Sequence, residues 1–435
     1  MKVFPRILYA LWFRAFPHLC RPIFAMEFTT FILTNGIRVI FKPISGSDVA
    51  HCGFVINAGT RDEAPNELGM AHFLEHVLFK GTRKRKAFHI LNRLDAVGGE
   101  LNAYTTKEDT CIYASFLHHH FERAVELLAD ITFHSIFPPK ELDKEKDVVI
   151  EEIRSYQDSP SEQIFDDFEE LVFSGHPIGY GILGKEDTLR EFQQADVVRF
   201  FQRHYTSHNL VFSIVGDLPL KKVKLLAEKY LGDLAESSTP NQRQGFDKYR
   251  PQQKKQEMEV FQAHCMLGTT AYSVHHKDRR SMVLLNNILG GPGSNCRLNL
   301  NIREKYGFTY HIESNYTPYS DSGIFSVYLG TDPQSLDRTL QLVHRELRKL
   351  REKQLGVGQL HSAKQQLIGQ IALSQESRSS LMMAMGKSLL TFDRVATLPE
   401  IYAEIEAISA EELLRVANEI LTPDRMSLLT FVPKN

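Results

Sequence analysis

The sequence lacks long apolar runs and an excess of basic residues. No stretch of its 435 residues approaches the roughly 18 consecutive apolar residues of a membrane-spanning helix, so we expect no membrane span. Lysine and arginine total 51 against 53 acidic residues, and the formal charge of -2 provides no broad basic surface for a polyanion. The composition therefore argues against a helical membrane protein and against a nucleic-acid partner.

Cysteine is scarce as well. The five cysteines form an odd set without a C-x-x-C pair, which argues against a disulfide framework and against a cysteine-based metal site. We interpret them as free thiols in a reducing compartment and therefore expect a cytoplasmic location. They are Cys20, Cys52, Cys111, Cys265 and Cys296.

Residues 1–26 have an unusual composition, with four cations and no acid. Their apolar run, residues 7–13, is short for a secretory signal, and three prolines without any serine fit a mitochondrial presequence poorly. We predict a leader or extension here, with Met26 as an alternative start. Export or import into an organelle is the alternative location if residues 1–25 are removed.

The rest of the chain is long enough for two or more domains of about 200 residues each. Alternating apolar residues on both sides of Asn35-Gly36 predict a β-hairpin. Further apolar runs predict strands over 52–58, 100–104 and 110–117, and helical periodicity predicts helices over 67–79, 87–97, 120–134 and 139–157.

An internal repeat organises these elements. Residues 235–256 contain almost no apolar side chains and are predicted to be a linker. A shift of about 209 residues lays Gly98 on Gly307 and Phe116 on Phe325, with similar elements around each pair. We expect an α+β fold of two homologous halves, each a mainly antiparallel β-sheet with helices packed on it. The catalytic half would be residues 27–234, and residues 257–435 would be a homologous domain without a metal site.

A short motif in the first half indicates metal chemistry. His72 and His76 are four residues apart in a helical segment, so both imidazoles project from one face about a turn apart. Zinc accepts such a pair, and a catalytic zinc site adds a third protein ligand and a water. Glu75 is placed to take a proton from that water. Glu145 and Glu152 are seven residues apart on a second predicted helix and share a face, so this segment can supply the third ligand.

The order H-x-x-E-H, together with the acidic segment 145–152, resembles the inverted-zincin peptidases that include pitrilysin, insulin-degrading enzyme and the β subunit of mitochondrial processing peptidase. The resemblance covers nearly the whole chain after Met26. It implies that Glu152 rather than Glu151 is the third zinc ligand. It also implies that Glu145 is a supporting acid of the catalytic site and that the catalytic domain holds one Zn²⁺.

The same resemblance points to substrate contacts. Residues 98–105 are similar to the family's edge strand, whose backbone pairs with an extended substrate, so Asn102 and Ala103 would line the cleft. Arg303 and Tyr310 are similar to a family pair that reaches the substrate and the developing oxyanion. Without the resemblance, Asn102 is an ordinary turn residue, Arg303 a helix-end arginine and Tyr310 a strand tyrosine.

Together these features predict a zinc-dependent endopeptidase that hydrolyses short or unfolded peptides, with Glu75 activating the attacking water. The alternative is a non-catalytic peptide-binding subunit of a heterodimeric peptidase. A purely structural zinc site is disfavoured because three ligands beside a free glutamate suit a water-bearing site better. Family members of this length imply a homodimer, or a heterodimer with a homologous subunit.

Overall fold

The structure, a computed structural model, describes residues 28–238 and 241–434. The predicted leader, residues 1–26, lies outside the described residues, and so does Cys20. The other four cysteines are buried free thiols, as expected. Among the described residues, no helix combines the length and the apolar composition needed to cross a membrane.

The first half builds one mixed sheet and its covering helices. Its strands are β1 (Thr29–Ile32), β2 (Arg38–Pro43), β3 (Val49–Ile56), β4 (Glu100–Thr105), β5 (Thr110–Leu117) and β6 (Leu210–Gly216). Its helices are α1 (Met70–Val77), α2 (Ala87–Asp95), α3 (Phe121–His134), α4 (Pro139–Gln157), α5 (Pro160–Val172), α6 (Glu186–Glu191), α7 (Gln194–His204) and α8 (Leu220–Leu231).

The second half repeats this plan. Its strands are β7 (Gln253–Met258), β8 (Ala263–Thr270), β9 (Thr309–Pro318), β10 (Gly323–Thr331) and β11 (Ser427–Pro433). Its helices are α9 (Arg279–Gly290), α10 (Leu336–Glu352), α11 (Val357–Ser374), α12 (Arg378–Phe392), α13 (Leu398–Ala407) and α14 (Ala410–Ile420), with a π-helical segment at Asn299–Glu304.

The two sheets have matching topologies. The order is β1-β2-β6-β3-β5-β4 in the first and β7-β11-β8-β10-β9 in the second. Each sheet has one parallel pair, β2 with β6 and β7 with β11, and its other pairs are antiparallel. The predicted fold of two homologous, mainly antiparallel halves is therefore confirmed.

The residue pairs that indicated the repeat are structurally equivalent. Gly98 and Gly307 both have positive φ, +71° and +66°, in the turn that leads into β4 and β9 respectively. Glycine is favoured there because it adopts this left-handed conformation without a Cβ clash. Phe116 on β5 and Phe325 on β10 are both buried in their own cores.

In each half, one helix packs against the sheet of the other half. Three helices follow each central strand pair: α3, α4 and α5 after β5, and α10, α11 and α12 after β10. The third helix crosses over in both cases. Helix α5 packs Phe168 against Phe431 and their neighbours on the second sheet, while α12 packs Met385 in a cluster with Val211 of the first. The halves are therefore interlocked.

The connection between the halves is also bound to both of them. Strand β7 begins at Gln253, so the last four residues of the predicted linker 235–256 lie in this strand. The Arg61 side chain, only 1% exposed, donates to Asp321 at 2.6 and 2.7 Å, to Glu108 at 2.6 Å and to the Gln244 carbonyl at 2.7 Å. One guanidinium thus joins the first half, the connection and the β9–β10 turn.

Candidate metal centre

The start of α1 is fixed by two glycines in direct backbone contact. Gly69 and Gly184 have φ of +90° and +73°, and a Cβ on Gly184 would lie 2.4 Å from the Cα of Gly69. Buried Glu63 caps the same turn by accepting from the backbone N–H groups of Gly69 at 2.9 Å and Ala71 at 2.8 Å. The helix that carries the histidines is therefore anchored one residue before His72.

Because an alanine at position 184 would meet backbone and also require a left-handed conformation, Gly184→Ala is expected to destabilise the protein by about 2–4 kcal/mol. Gly181→Ala is the matched control: its Cβ would meet nothing closer than a carboxylate oxygen of Asp166 at 3.8 Å. The control should shift the free energy of unfolding by less than about 1 kcal/mol. Chemical denaturation of the metal-free proteins measures both, and equal midpoints for the two variants would contradict the close-contact argument.

Helices α1 and α4 bring the three predicted zinc ligands together. One nitrogen each of His72 and His76 and one oxygen of Glu152 all lie within 4.8 Å of one another. The Nε2 atoms face the carboxylate, at 3.7 Å for His72 to Oε1 and 3.4 Å for His76 to Oε2. The i, i+4 spacing on α1 places both rings on the face that packs against α4.

The two histidines have different surroundings. His72 is buried, and burial together with the charge of His76 lowers the pKa of His72 to about 4. Among the described residues its Nδ1 has no hydrogen-bond partner. Burial acts in the same direction on His76, but its hydrogen bond to Glu145 and the charges of Glu152 and Glu145 outweigh it, so the pKa of His76 is raised. His72 is thus held neutral, as a metal ligand must be.

Glu145 lies behind the site rather than in it. Its Oε1 is 3.0 Å from His76 Nδ1, and its Oε2 is 2.6 Å from Lys80 Nζ. Burial opposes the charged form, yet these two hydrogen bonds lower the pKa of Glu145 below its usual value. The supporting role that the family resemblance implied for Glu145 corresponds here to a contact with the ring nitrogen of His76 that faces away from Glu152.

Glu75 projects from α1 toward the end of β4. Its Oε2 accepts a hydrogen bond of 2.7 Å from the Thr105 hydroxyl. Burial raises the pKa of Glu75, and the Thr105 hydrogen bond and the charge of His76 only partly offset it. A carboxylate whose pKa is shifted toward neutrality is suited to accept and then return a proton.

Strand β4 is an edge of the first sheet and packs against α1. It pairs with β5 on one side, and no other described strand pairs with its outer side. Asn102 is exposed and Ala103 is half-buried on this strand, next to the end that reaches Glu75 through Thr105. The strand predicted to bind substrate is therefore an edge strand whose outer side is unpaired among the described residues, and it lies beside the candidate metal ligands.

Arg303 and Tyr310 lie together in the second half. The guanidinium of Arg303 is 5.8 Å from the centroid of the Tyr310 ring and donates to Asn299 at 3.0 Å. Tyr310 is 84% exposed. Within residues 28–238 and 241–434, no hydrogen bond or ion pair joins either residue to His72, His76 or Glu152, so their substrate roles stay a prediction.

The donor set fits zinc. Two imidazole nitrogens and one carboxylate oxygen are characteristic ligands of a catalytic zinc ion. Ligand atoms at about 2.1 Å from a tetrahedral ion lie about 3.4 Å from one another. In the structure, one ligand atom from each of the three residues lies within 4.8 Å of the others, so small side-chain adjustments bring them to this separation. Glu151 instead pairs with Arg154 at 2.8 Å, which favours Glu152 as the ligand.

Three residues around the site are not evident from the sequence pattern: Thr105, which binds Glu75; Lys80, which binds Glu145; and Glu63, which caps α1. Lys80 follows His76 by one helical turn, and this spacing was the only available signal. Thr105 and Glu63 act through contacts between separate segments, for which no sequence spacing gives a clue.

Comparisons with known proteins match most of the chain. A family model described as insulinase (peptidase family M16) matches residues 38–186, and one described as peptidase M16 inactive domain matches residues 191–367. The chain is 34% identical to "uncharacterized zinc protease YmxG" of Bacillus subtilis over 392 residues, 90% of this chain and 95% of that protein. It is 32% identical to an "uncharacterized zinc protease" of Rickettsia felis over 390 residues, 90% of this chain and 94% of that protein.

Two solved structures share the fold. A protease from Helicobacter pylori superposes with a TM-score of 0.86 at 23% identity, covering 94% of this chain and 100% of that one. A peptidase M16 inactive domain from Pseudomonas fluorescens has the same TM-score at 21% identity, covering 94% and 98%. Both cover nearly the whole chain, so the arrangement of the two halves is common to all three.

Proposed function

Because this chain belongs to the M16 family of peptidases, the insulinase family, we propose that it is a zinc-dependent endopeptidase that hydrolyses short or unfolded peptides. The observation that carries the proposal is the convergence of His72, His76 and Glu152, with Glu75 on the same helix as both histidines. Relatives named as zinc proteases support the metal and the reaction class.

In the proposed mechanism, each side chain has one task. One zinc ion held by His72, His76 and Glu152 would supply a Lewis acid that polarises the scissile carbonyl and makes the attacking water more acidic. Glu75 accepts the proton of that water and donates it to the leaving amine. Thr105 keeps the Glu75 carboxylate oriented toward the cleft through its 2.7 Å hydrogen bond.

The substrate would bind by strand addition on β4. An extended peptide paired with the outer edge of β4 uses main-chain hydrogen bonds, which tolerate many side chains. Asn102 and Ala103 would contact it directly. A peptide paired along β4 would also pass Glu75, because Thr105 at the end of this strand is hydrogen-bonded to Glu75. Only a segment without its own secondary structure can pair in this way, which is why we propose short or unfolded substrates. Contacts from Arg303 and Tyr310, and a dimer with a second copy or a homologous subunit, stay predictions.

The proposal is tested with a mixed set of quenched-fluorescent peptides and the purified full chain. We expect cleavage by the zinc-loaded protein, its loss after treatment with a chelator, and its return when about one equivalent of zinc per chain is added. A tightly folded protein offered under the same conditions should be cut poorly. If the zinc-loaded chain binds the peptides but cleaves none of them, the chain is instead a non-catalytic peptide-binding subunit.

A further inference from the structure

Lys80 is a charged residue near the metal centre to which the proposed hydrolysis assigns no role. It lies in the short 3₁₀ turn that continues α1, one helical turn past His76. Its Nζ is 2.6 Å from Oε2 of Glu145, and the two side chains are only 28% and 8% exposed. Lys80 is thus a partly buried lysine paired with a buried carboxylate.

The contacts of Lys80 lead directly to the metal residues. Each oxygen of Glu145 has its own partner: Oε2 binds Lys80, and Oε1 lies 3.0 Å from Nδ1 of His76. On the other side of the His76 ring, Nε2 faces Glu152 at 3.4 Å. Lys80, Glu145 and His76 therefore form one continuous series that ends at a metal-facing nitrogen.

These contacts fix the tautomer and the ring orientation of His76. When a carboxylate accepts a hydrogen bond from Nδ1–H, the lone pair of the neutral imidazole is on Nε2 and the ring orientation is set. Lys80 binds the other oxygen of Glu145 at 2.6 Å, and this second contact keeps Oε1 directed at the His76 ring. His72 has no such support, since its Nδ1 lacks a hydrogen-bond partner among the described residues. Of the two histidines, His76 is therefore the one whose ring is held by a hydrogen bond at Nδ1.

We infer that Lys80 is a positioning residue for zinc binding: it holds Glu145 so that His76 directs Nε2 to the metal. The inference rests on the proposed zinc site. It goes further because part of the zinc affinity is assigned to a lysine that is not itself a ligand. Removing Lys80 should weaken zinc binding even when no peptide is present.

The test compares zinc dissociation constants, measured by competition with a chelating fluorescent indicator. Lys80→Met removes the charge and keeps the length, and we expect zinc to bind about 10–100-fold more weakly, as is typical when a partner of a metal ligand is lost. Lys144→Met is the matched control, because it removes an exposed lysine–glutamate pair of 2.8 Å, between Lys144 and Glu141 on α4. The control should bind zinc within about twofold of the unmodified chain. Similar unfolding midpoints for the metal-free proteins would show that all variants fold.

Two further variants separate positioning from a general structural effect. If Lys80 acts through Glu145, then adding Lys80→Met to Glu145→Gln should change the zinc affinity by less than about twofold, because the path is already broken. Lys80→Arg keeps a cation and should retain zinc within about threefold. Unchanged affinity in Lys80→Met, fully multiplicative losses in the double variant, or an arginine variant as weak as the methionine one would each overturn the inference. Failure of the unmodified chain to bind zinc would instead overturn the proposed function.

Discussion

Replacing Glu75 by glutamine is expected to reduce peptide hydrolysis by about 10²–10⁴-fold while zinc stays bound, because a general base contributes on that order. Glutamine keeps the shape of the side chain, and its carbonyl oxygen can still accept the hydrogen bond that Thr105 donates to Glu75. Its amide group cannot take a proton from water at neutral pH. Initial rates on the quenched-fluorescent peptides, with zinc content from elemental analysis of the same samples, measure both parts of the expectation.

The zinc content serves as the internal control for this variant. Glu75 is not among the three residues whose ligand atoms converge, so about one zinc per chain should remain. Full hydrolysis by zinc-loaded Glu75→Gln would remove Glu75 from the mechanism. A loss of zinc from this variant would place Glu75 among the ligands and would equally contradict the assignment.

Replacing Glu152 by glutamine is expected to have an effect at least as large, for a different reason. The change removes one of three protein ligands and leaves two imidazoles, which hold zinc far more weakly than a complete set. Zinc should fall from about one to nearly zero per chain after dialysis. Hydrolysis should fall with it, and excess zinc should restore only part of the rate.

Glu151 offers a closely matched control for this prediction. It is the preceding residue of the same helix, and it pairs with Arg154 at 2.8 Å instead of facing the histidines. Glu151→Gln should therefore keep both zinc and activity near those of the unmodified chain. Zinc loss in Glu151→Gln together with retention in Glu152→Gln would reverse the assignment of the third ligand.

Much of the site was predictable because it depends on helical periodicity. Helix α4 spans the predicted residues 139–157, and both histidines share a face of α1. Periodicity also placed Glu145 and Glu152 on one face of α4 but could not say which of them reaches the metal. The packing of α4 against α1 brings Glu145 to Nδ1 of His76 and Glu152 to Nε2, which favours Glu152 as the proposed ligand.

The features that escaped prediction depend on contacts between distant segments. The first four residues of β7 fall within the predicted linker because the sequence of this strand, QKKQEM, has a single apolar residue. It needs no more than that, since it lies at a sheet edge and pairs only with β11 among the described strands. Helices α5 and α12 were not predicted, and nothing in the spacing of their apolar residues tells which of two similar sheets they cover.

The reciprocal crossing of α5 and α12 gives the single chain the symmetry of a dimer. In each half, the third helix after the central strand pair leaves its own sheet and packs on the other. Two separate copies of one half that exchanged this helix would form a domain-swapped homodimer, a low-cost route to symmetric assembly. The present chain has the form of such a dimer after fusion of its two copies. Because both halves belong to one chain, the exchange does not depend on protein concentration.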